Sequence, residues 1–158
     1  MNAEAVVAEL AQKARKASRT LSTATGAERK AALEAIAQAI ESRSAEILAA
    51  NEADMVNARA ENMHPQMQDR LLLTAERIKA IAAGAREVAA LPDPLGQILR
   101  KSTLPNGLEL EQISVPFGVI GMVYEARPNV TVDAAVILLM SGNAALLRGS
   151  STARNSNE

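Results

Sequence analysis

Along the first 90 residues the apolar positions return every three or four places, the spacing of helices that each bury one face. Val6, Leu10, Ala14, Ala17 and Leu21 make the first such stripe. Thr25-Gly26-Ala27-Glu28 reads as a capping box, whose hydroxyl and carboxylate satisfy the free N–H groups of a first turn; Leu33, Ile36, Ala37 and Ile40 supply the apolar face behind it. A third helical stretch from Ser44 to Asn62 carries Ile47, Leu48, Met55 and Val56. Met63-His64-Pro65 breaks it, because proline disfavours helix at the residue before it. Leu73 and Ile78 flank Thr74 as a hydrophobic staple flanks its cap, which predicts a helix through Ile81, Ala85 and Val88. Leu91-Pro92-Asp93-Pro94-Leu95-Gly96 ends it.

The period then changes. Ile98–Leu104 and Leu108–Val115 are extended runs joined by Pro105-Asn106-Gly107, and Asn-Gly between such runs signals a hairpin in which both residues tolerate positive φ. Leu108, Leu110 and Gln112 alternate with Glu109 and Glu111, predicting one covered face and one wet one. A lone ribbon is unstable, so it is expected to lie on the body of the protein or on another subunit. Val119-Ile120-Gly121-Met122-Val123-Tyr124 is an unbroken apolar run, as in a strand buried on both faces. Thr131–Met140 is an apolar helix stopped by Ser141-Gly142-Asn143, with Gly142 in the left-handed cap, and Ala144–Arg148 is a second buried strand. Val119–Arg148 is thus one βαβ unit. Two parallel strands do not make a stable doubly wound sheet, so the chain reads as a domain cut short at Glu158, inside the first turns of the helix that follows Gly149–Thr152. The parts are residues 1–97, a helical layer; 98–115, the ribbon; and 116–158, the start of a sheet.

Composition narrows the chemistry. The only aromatic residues are Phe117 and Tyr124, so the core is built from Ala, Leu, Ile, Val and Met. Net charge is −1 with no basic stripe, which argues against a nucleic-acid surface. With no cysteine, disulfides, zinc–thiolate sites and a thiol nucleophile are excluded from these residues. His64 is the single histidine, so no metal site is expected. No membrane span or signal peptide is evident, and a cytoplasmic protein is the expectation. Met55, Met63 and Met67 read as core filling, and charged residues before residue 90 as solvated helix faces. Gly118-Val119-Ile120-Gly121 precedes its strand and lacks a third glycine, so it is not a dinucleotide fingerprint.

The stretch from Val115 to Glu158, above all YEARPNVT (Tyr124–Thr131), SGNA (Ser141–Ala144) and LLRGSS (Leu146–Ser151), resembles the γ-glutamyl phosphate reductase family of the aldehyde dehydrogenase superfamily; DRLLLTAERI (Asp69–Ile78) resembles its helical region. The resemblance is strong over about 69–81 and 114–157 and looser before residue 60. It covers under half of a typical member. It implies an α/β, aldehyde dehydrogenase-like fold: N-terminal helices, a β-hairpin for oligomerisation, and the first βαβ unit of a doubly wound nucleotide-binding sheet. It also implies reduction of γ-glutamyl phosphate to glutamate-5-semialdehyde with NADPH in proline biosynthesis, through a cysteine that this chain lacks. The fragment alone is therefore expected to be inactive. Further expectations from the resemblance are a homo-oligomer and association with glutamate 5-kinase.

For the cofactor, the resemblance puts Arg148 near the adenosine ribose. Independently, a strand-to-helix turn directs N–H groups and a helix dipole at an anion; Gly149 permits close approach, and Ser150 and Ser151 offer hydroxyls. No carboxylate stands between Arg148 and Arg154, so NADP(H) is expected over NAD(H). A solvated turn is the alternative. Glu125-Ala126-Arg127-Pro128-Asn129 leaves the C-terminal end of a strand, where open α/β sheets bind ligands. The resemblance places this loop between cofactor and catalytic centre, with Arg127 pairing a substrate carboxylate or phosphate and Asn129 orienting a thioester carbonyl. Against these stand a structural loop in which Glu125 and Arg127 are surface charges, and a helix cap at Asn129 or Thr131. Three other classes stay open: a CoA-acylating aldehyde dehydrogenase, a phosphate-binding module, and a helical interaction protein.

Overall fold

A computed structural model describes residues 2–158. Five helices come first: α1 (Ala3–Leu21), α2 (Gly26–Ser42), α3 (Ser44–Ala60), α4 (Pro65–Leu71) and α5 (Ala75–Ala90). An antiparallel ribbon follows, β1 (Ile98–Thr103) against β2 (Glu109–Ile113). Then β3 (Val119–Val123), α6 (Pro128–Met140) and β4 (Ala144–Arg148) form a βαβ unit with β3 and β4 parallel. A 3₁₀ turn (Ser151–Ala153) leads into α7 (Arg154–Asn157).

The helix starts follow local chemistry. Glu28 N–H donates to Thr25 Oγ1 at 3.2 Å while Glu28 Oε2 accepts from Thr25 N–H at 2.7 Å, the reciprocal pair of a capping box. Those bonds from Thr25 hold the Glu28 carboxyl below its usual range. Thr74 caps α5 by accepting from Arg77 N–H, and Leu73 and Ile78 on either side are both buried. The proline at residue 65 breaks one helix and opens another, α4, with Pro65 in the first turn where its missing N–H costs nothing. The periodicity gave no separate sign of α4.

Two buried clusters organise the molecule. One joins α2, α5 and α6 through Leu33, Ala37, Ala82, Ala85, Val136 and Met140. Its alanines let the helices approach closely, and burying a residue such as Leu33 contributes about 2 kcal/mol. The other joins α3, α4, the loop after β3 and the turn after β4 through Met55, Ala58, Leu71, Ala126 and Ala153. This second cluster positions the loops considered below.

Arg29 departs from the expectation that charges on these helices are solvated. It is 3% exposed and grips both Asp93 carboxylate oxygens, at 2.7 and 2.6 Å, while also donating to the Ala24 carbonyl. Asp93 in turn accepts from Leu95 N–H at 3.0 Å, and a side chain at Gly26 would run into its carboxylate. The Leu95 N–H, and after it Arg29, holds the Asp93 carboxyl below its ordinary 3.8. A carboxyl depressed in the folded state stabilises above its ordinary value and loses that contribution as pH falls through its folded value. Asp93→Asn should therefore flatten the fall in stability below about pH 4, read from denaturant midpoints across an acid series; an unchanged acid limb would contradict it.

The ribbon differs from its prediction twice. Positive φ occurs at Gly107 (+85°) and not at Asn106. Pro105 presets the ordinary negative φ, giving a three-residue loop with Gly107 in the left-handed region. Gly107 N–H bonds Leu104 O and Leu104 N–H bonds Leu108 O, both at 2.8 Å. Neither face is covered by described residues: Ile98, Leu99, Leu108, Leu110 and Ile113 are all exposed. The buried-strand expectation for β3 fails likewise. Val119, Met122 and Val123 are exposed, Val123 at 75%, because only β4 flanks β3 in its two-stranded sheet.

At the end of α6, Asn143 N–H bonds Leu138 O and Gly142 N–H bonds Leu139 O, the paired pattern that needs a left-handed residue at Gly142 (φ +72°). The Asn143 amide oxygen then accepts from Gly118 N–H at 2.8 Å, tying the β3 entry to the β4 entry. A Cβ at Gly142 would meet Leu95 Cδ1 at 2.8 Å. Gly142→Ala should thus cost about 1–2 kcal/mol, seen as a lower denaturant midpoint with unchanged slope; an unchanged midpoint would show that Leu95 and the backbone accommodate it. Among the described residues, no helix is long and apolar enough to cross a membrane.

Candidate functional site

The parallel pairing of β3 and β4 brings the loop after one strand beside the turn after the other. Tyr124 N–H donates to Arg148 O at 3.1 Å, extending the ladder one step. This is the C-terminal edge of the sheet, where open α/β folds place ligands. The Thr131 hydroxyl donates to Asn157 Oδ1 at 2.7 Å. With its one proton so used, Thr131 can only accept from the Tyr124 hydroxyl, also 2.7 Å away. Gly149 sits beneath this chain: a Cβ there would strike Asn157 Nδ2 and press on the Tyr124 ring. The close approach anticipated at Gly149 is therefore made by the protein's own Tyr124 and Asn157.

Arg148 is exposed, and among the described residues its guanidinium has no hydrogen-bond or ion-pair partner. The Ser150 hydroxyl caps the 3₁₀ turn, accepting from Thr152 N–H at 3.3 Å and donating to Thr152 Oγ1 at 3.1 Å; Ser151 is exposed. The turn leads into three 3₁₀ residues rather than directly into an α-helix, so the full helix dipole anticipated at this turn is absent from it. Ser151 and Thr152 share a small cleft of about 250 Å³ with Asn57, Glu61 and Arg154. The residues fit an anion at Arg148, which does not itself line that cleft; the cleft carries two carboxylates, Asp54 of α3 and Glu61 at its C-terminal cap.

What holds this turn in place escaped the sequence reading. Asp54, 2% exposed on α3, accepts from Asn155 N–H (3.1 Å) and Nδ2 (2.7 Å) and from Ser156 N–H (2.8 Å) and Oγ (2.6 Å). One turn earlier, Asn51 accepts from Leu73 N–H at 2.7 Å and donates to Leu71 O at 2.9 Å and Ser156 Oγ at 3.0 Å. A single helix face thus secures both the α4–α5 joint and the segment after β4. The available signal was that Asn51 and Asp54 fall on the same helical face as Met55 and Ala58, where a solvated residue has no place.

The loop after β3 is pinned by buried Ala126, leaving Glu125 exposed and Arg127 half-buried. The expected caps are not used. Arg127 occupies the cap position of α6 without a side-chain cap bond, and Pro128 takes the first turn. Asn129 and Thr131 lie inside the helix, Asn129 Nδ2 donating to Asp133 Oδ2 at 3.0 Å. Proline's fixed φ starts the helix three residues before the predicted Thr131.

Glu125 lies between two guanidiniums: its Oε2 accepts from Arg70 Nη1 at 3.3 Å, and its Oε1 is 2.8 Å from Arg127 Nε at an angle too bent for a hydrogen bond. A cleft of about 440 Å³ opens beside them, lined by Arg70, Arg77, Arg127, Asn129, Asp133 and Ile81 among others. The structure therefore gathers Arg127 and Asn129 with Arg70 and Arg77, two residues the sequence reading did not single out. Arg77 is committed elsewhere, to Asp69 Oδ1 and the carbonyl of Leu72, each at 2.7 Å. Arg148, Ser150 and Ser151 do not line this cleft.

No family model matches the chain. It is similar to a gamma-glutamyl phosphate reductase of Kineococcus radiotolerans, 54% identical over 98% of this chain and 35% of that protein. One from Geobacillus thermodenitrificans is 54% identical over 95% of the chain and 36% of the relative. The chain spans about a third of the length of the curated relatives it matches. The crystal structure of gamma-glutamyl phosphate reductase from Thermotoga maritima superposes with a TM-score of 0.91 at 40% identity, covering 94% of this chain and 36% of that one. The Saccharomyces cerevisiae structure of the same name gives 0.88 at 31% identity, over 94% and 38%.

Proposed function

We propose a role for this chain on one premise: along the third of their length that it spans, it belongs with the γ-glutamyl phosphate reductases. The protein carrying it reduces γ-glutamyl phosphate to glutamate-5-semialdehyde and phosphate, in proline biosynthesis, on an aldehyde dehydrogenase-like doubly wound fold. The reading is carried by one juxtaposition, the Tyr124–Thr131 loop and the Arg148–Thr152 turn side by side at the C-terminal sheet edge. Bound NADPH supplies the hydride.

The contributions of these residues are binding and orientation. The unpaired Arg148 guanidinium offers a fork to the adenosine 2′-phosphate, with Ser150 fixing the turn and Ser151 presenting a hydroxyl. Tyr124, through Thr131, holds the substrate loop against that turn. The Asn129 side-chain oxygen and its second amide proton are left to contact a substrate, since one amide proton is given to Asp133. The thiol that accepts the acyl group comes from outside these residues, which have no cysteine. The exposed apolar ribbon at 98–115 serves contact between copies in a homo-oligomer, and the enzyme acts in the cytoplasm.

Kinetics on the full-length enzyme test this reading. Arg148→Glu should raise KM for NADPH roughly a hundredfold while changing KM for NADH little, because one charge-assisted fork is lost and repulsion is added. Equal responses to the two cofactors would remove Arg148 from the phosphate site, and a wild-type preference for NADH would remove NADP specificity itself. Residues 1–158 alone should show no NADPH oxidation with the acyl phosphate; measurable turnover would contradict the need for an outside thiol.

A further inference from the structure

We propose that Arg70 and Arg127 receive the non-reacting, amino-acid end of the substrate, and that Glu125 serves as their internal counter-anion until the substrate carboxylate replaces it. The proposal rests on the reductase reading above and assigns a subsite to it.

The geometry is a clamp built from distant elements. Arg70 comes from α4 and Arg127 from the cap position of α6, and each touches a different oxygen of the same Glu125 carboxylate. All three side chains are about half exposed, at 47%, 40% and 52% for Arg70, Arg127 and Glu125. Exposed ion pairs of this kind contribute little to stability, so exchanging one carboxylate for another is easy. Both contacts are also imperfect: one is long and the other is bent. The two Nη atoms of Arg127 make no hydrogen bond to any described residue, so its fork stays open to a ligand.

The remaining lining groups say which ligand fits. Arg77 is held by bonds to Asp69 and Leu72, and Asn129 gives one of its two amide protons to Asp133. That leaves two guanidiniums for an anion, and the second oxygen of Asp133, with Asp69 nearby, for a cation. A cleft with both signs repels a phosphate dianion more than it repels a zwitterion. An α-amino acid head group, one carboxylate and one ammonium, matches it, and the volume of about 440 Å³ accommodates a molecule of that size.

The test uses the full-length enzyme in the reverse direction, where semialdehyde and phosphate are separate substrates. Arg70→Ala and Arg127→Ala should each raise KM for the semialdehyde roughly tenfold or more, the loss of a hydrogen bond to a charged group, with KM for phosphate unchanged. Glu125→Gln should lower the semialdehyde KM several-fold by removing the competitor. Calorimetric binding of free glutamate should weaken in Arg70→Ala in parallel; circular dichroism confirms that this exposed-site variant is folded. A rise in phosphate KM instead, wild-type values in both arginine variants, or a raised semialdehyde KM in Glu125→Gln would each overturn the proposal. If the wild-type enzyme turns over neither direction yet binds glutamate through Arg70, the reductase reading fails and the head-group site stands.

Discussion

Asp54→Ala should lower the unfolding free energy by about 3 kcal/mol, from the loss of charge-assisted bonds and the unsatisfied buried N–H left behind. Among the described residues Asp54 is the sole side-chain acceptor for the backbone N–H groups of Asn155 and Ser156, and it also binds both of their side chains. Asn155 is exposed and can turn to water, whereas Ser156 is half-buried and packed beside Asn51, so the cost falls mainly on Ser156. Asp54→Asn is the sharper probe. The amide keeps the shape but points a donor at donors, so about half the loss should appear without any cavity. Unfolding followed by far-ultraviolet circular dichroism measures both, and hydrogen exchange at the Ser156 amide should accelerate in parallel. A change under about 0.5 kcal/mol for the alanine variant, the range of ordinary surface substitutions, would show that the segment after β4 is held by its apolar contacts alone. Under the proposed role of Arg148 in binding the cofactor phosphate, the same variant in the full-length protein should also raise KM for NADPH, since the turn bearing Arg148 loses its anchor.

Arg29→Ala should cost a similar amount, about 3–4 kcal/mol, for a different reason. The guanidinium, 3% exposed, closes the start of α2 onto the Asp93 turn beyond α5. Removing it strands a partly buried carboxylate and the Ala24 carbonyl, and leaves a cavity where the buried guanidinium sat. Arg29→Lys should rescue little, because an ammonium cannot bond two carboxylate oxygens and a carbonyl in one plane. A double-mutant cycle with Asp93→Asn separates the pair from the packing: coupling of about 1 kcal/mol or more is expected for contacting charged groups. Additive losses would assign the whole effect to the cavity.

These two residues mark where the sequence stops being readable. The capping box at Thr25, the staple around Thr74 and the Gly142 cap all rest on interactions within a few positions along the chain, and each is visible in the residues themselves. The hairpin loop was legible as a turn but not in type, since Pro105 overrode the common behaviour of Asn-Gly. The cap of α6 was misplaced because Pro128 starts a helix without needing a side-chain acceptor. Asn51, Asp54 and Arg29 look like ordinary helix polar groups until the fold brings up partners from the far end of the chain or from the Asp93 turn. The cleft follows the same logic: Arg127 was found through its loop, whereas Arg70 becomes interesting only when α4 is set beside Glu125.

The Tyr124–Thr131–Asn157 relay has a practical consequence. Tyr124 is the only tyrosine and there is no tryptophan, so these residues carry a single intrinsic fluorophore, seated where the two candidate ligand loops meet. Its phenol proton is directed at Thr131, and its ring lies against Gly149. Emission excited at tyrosine wavelengths is thus an unlabelled readout of that junction, free of background from elsewhere in the stretch.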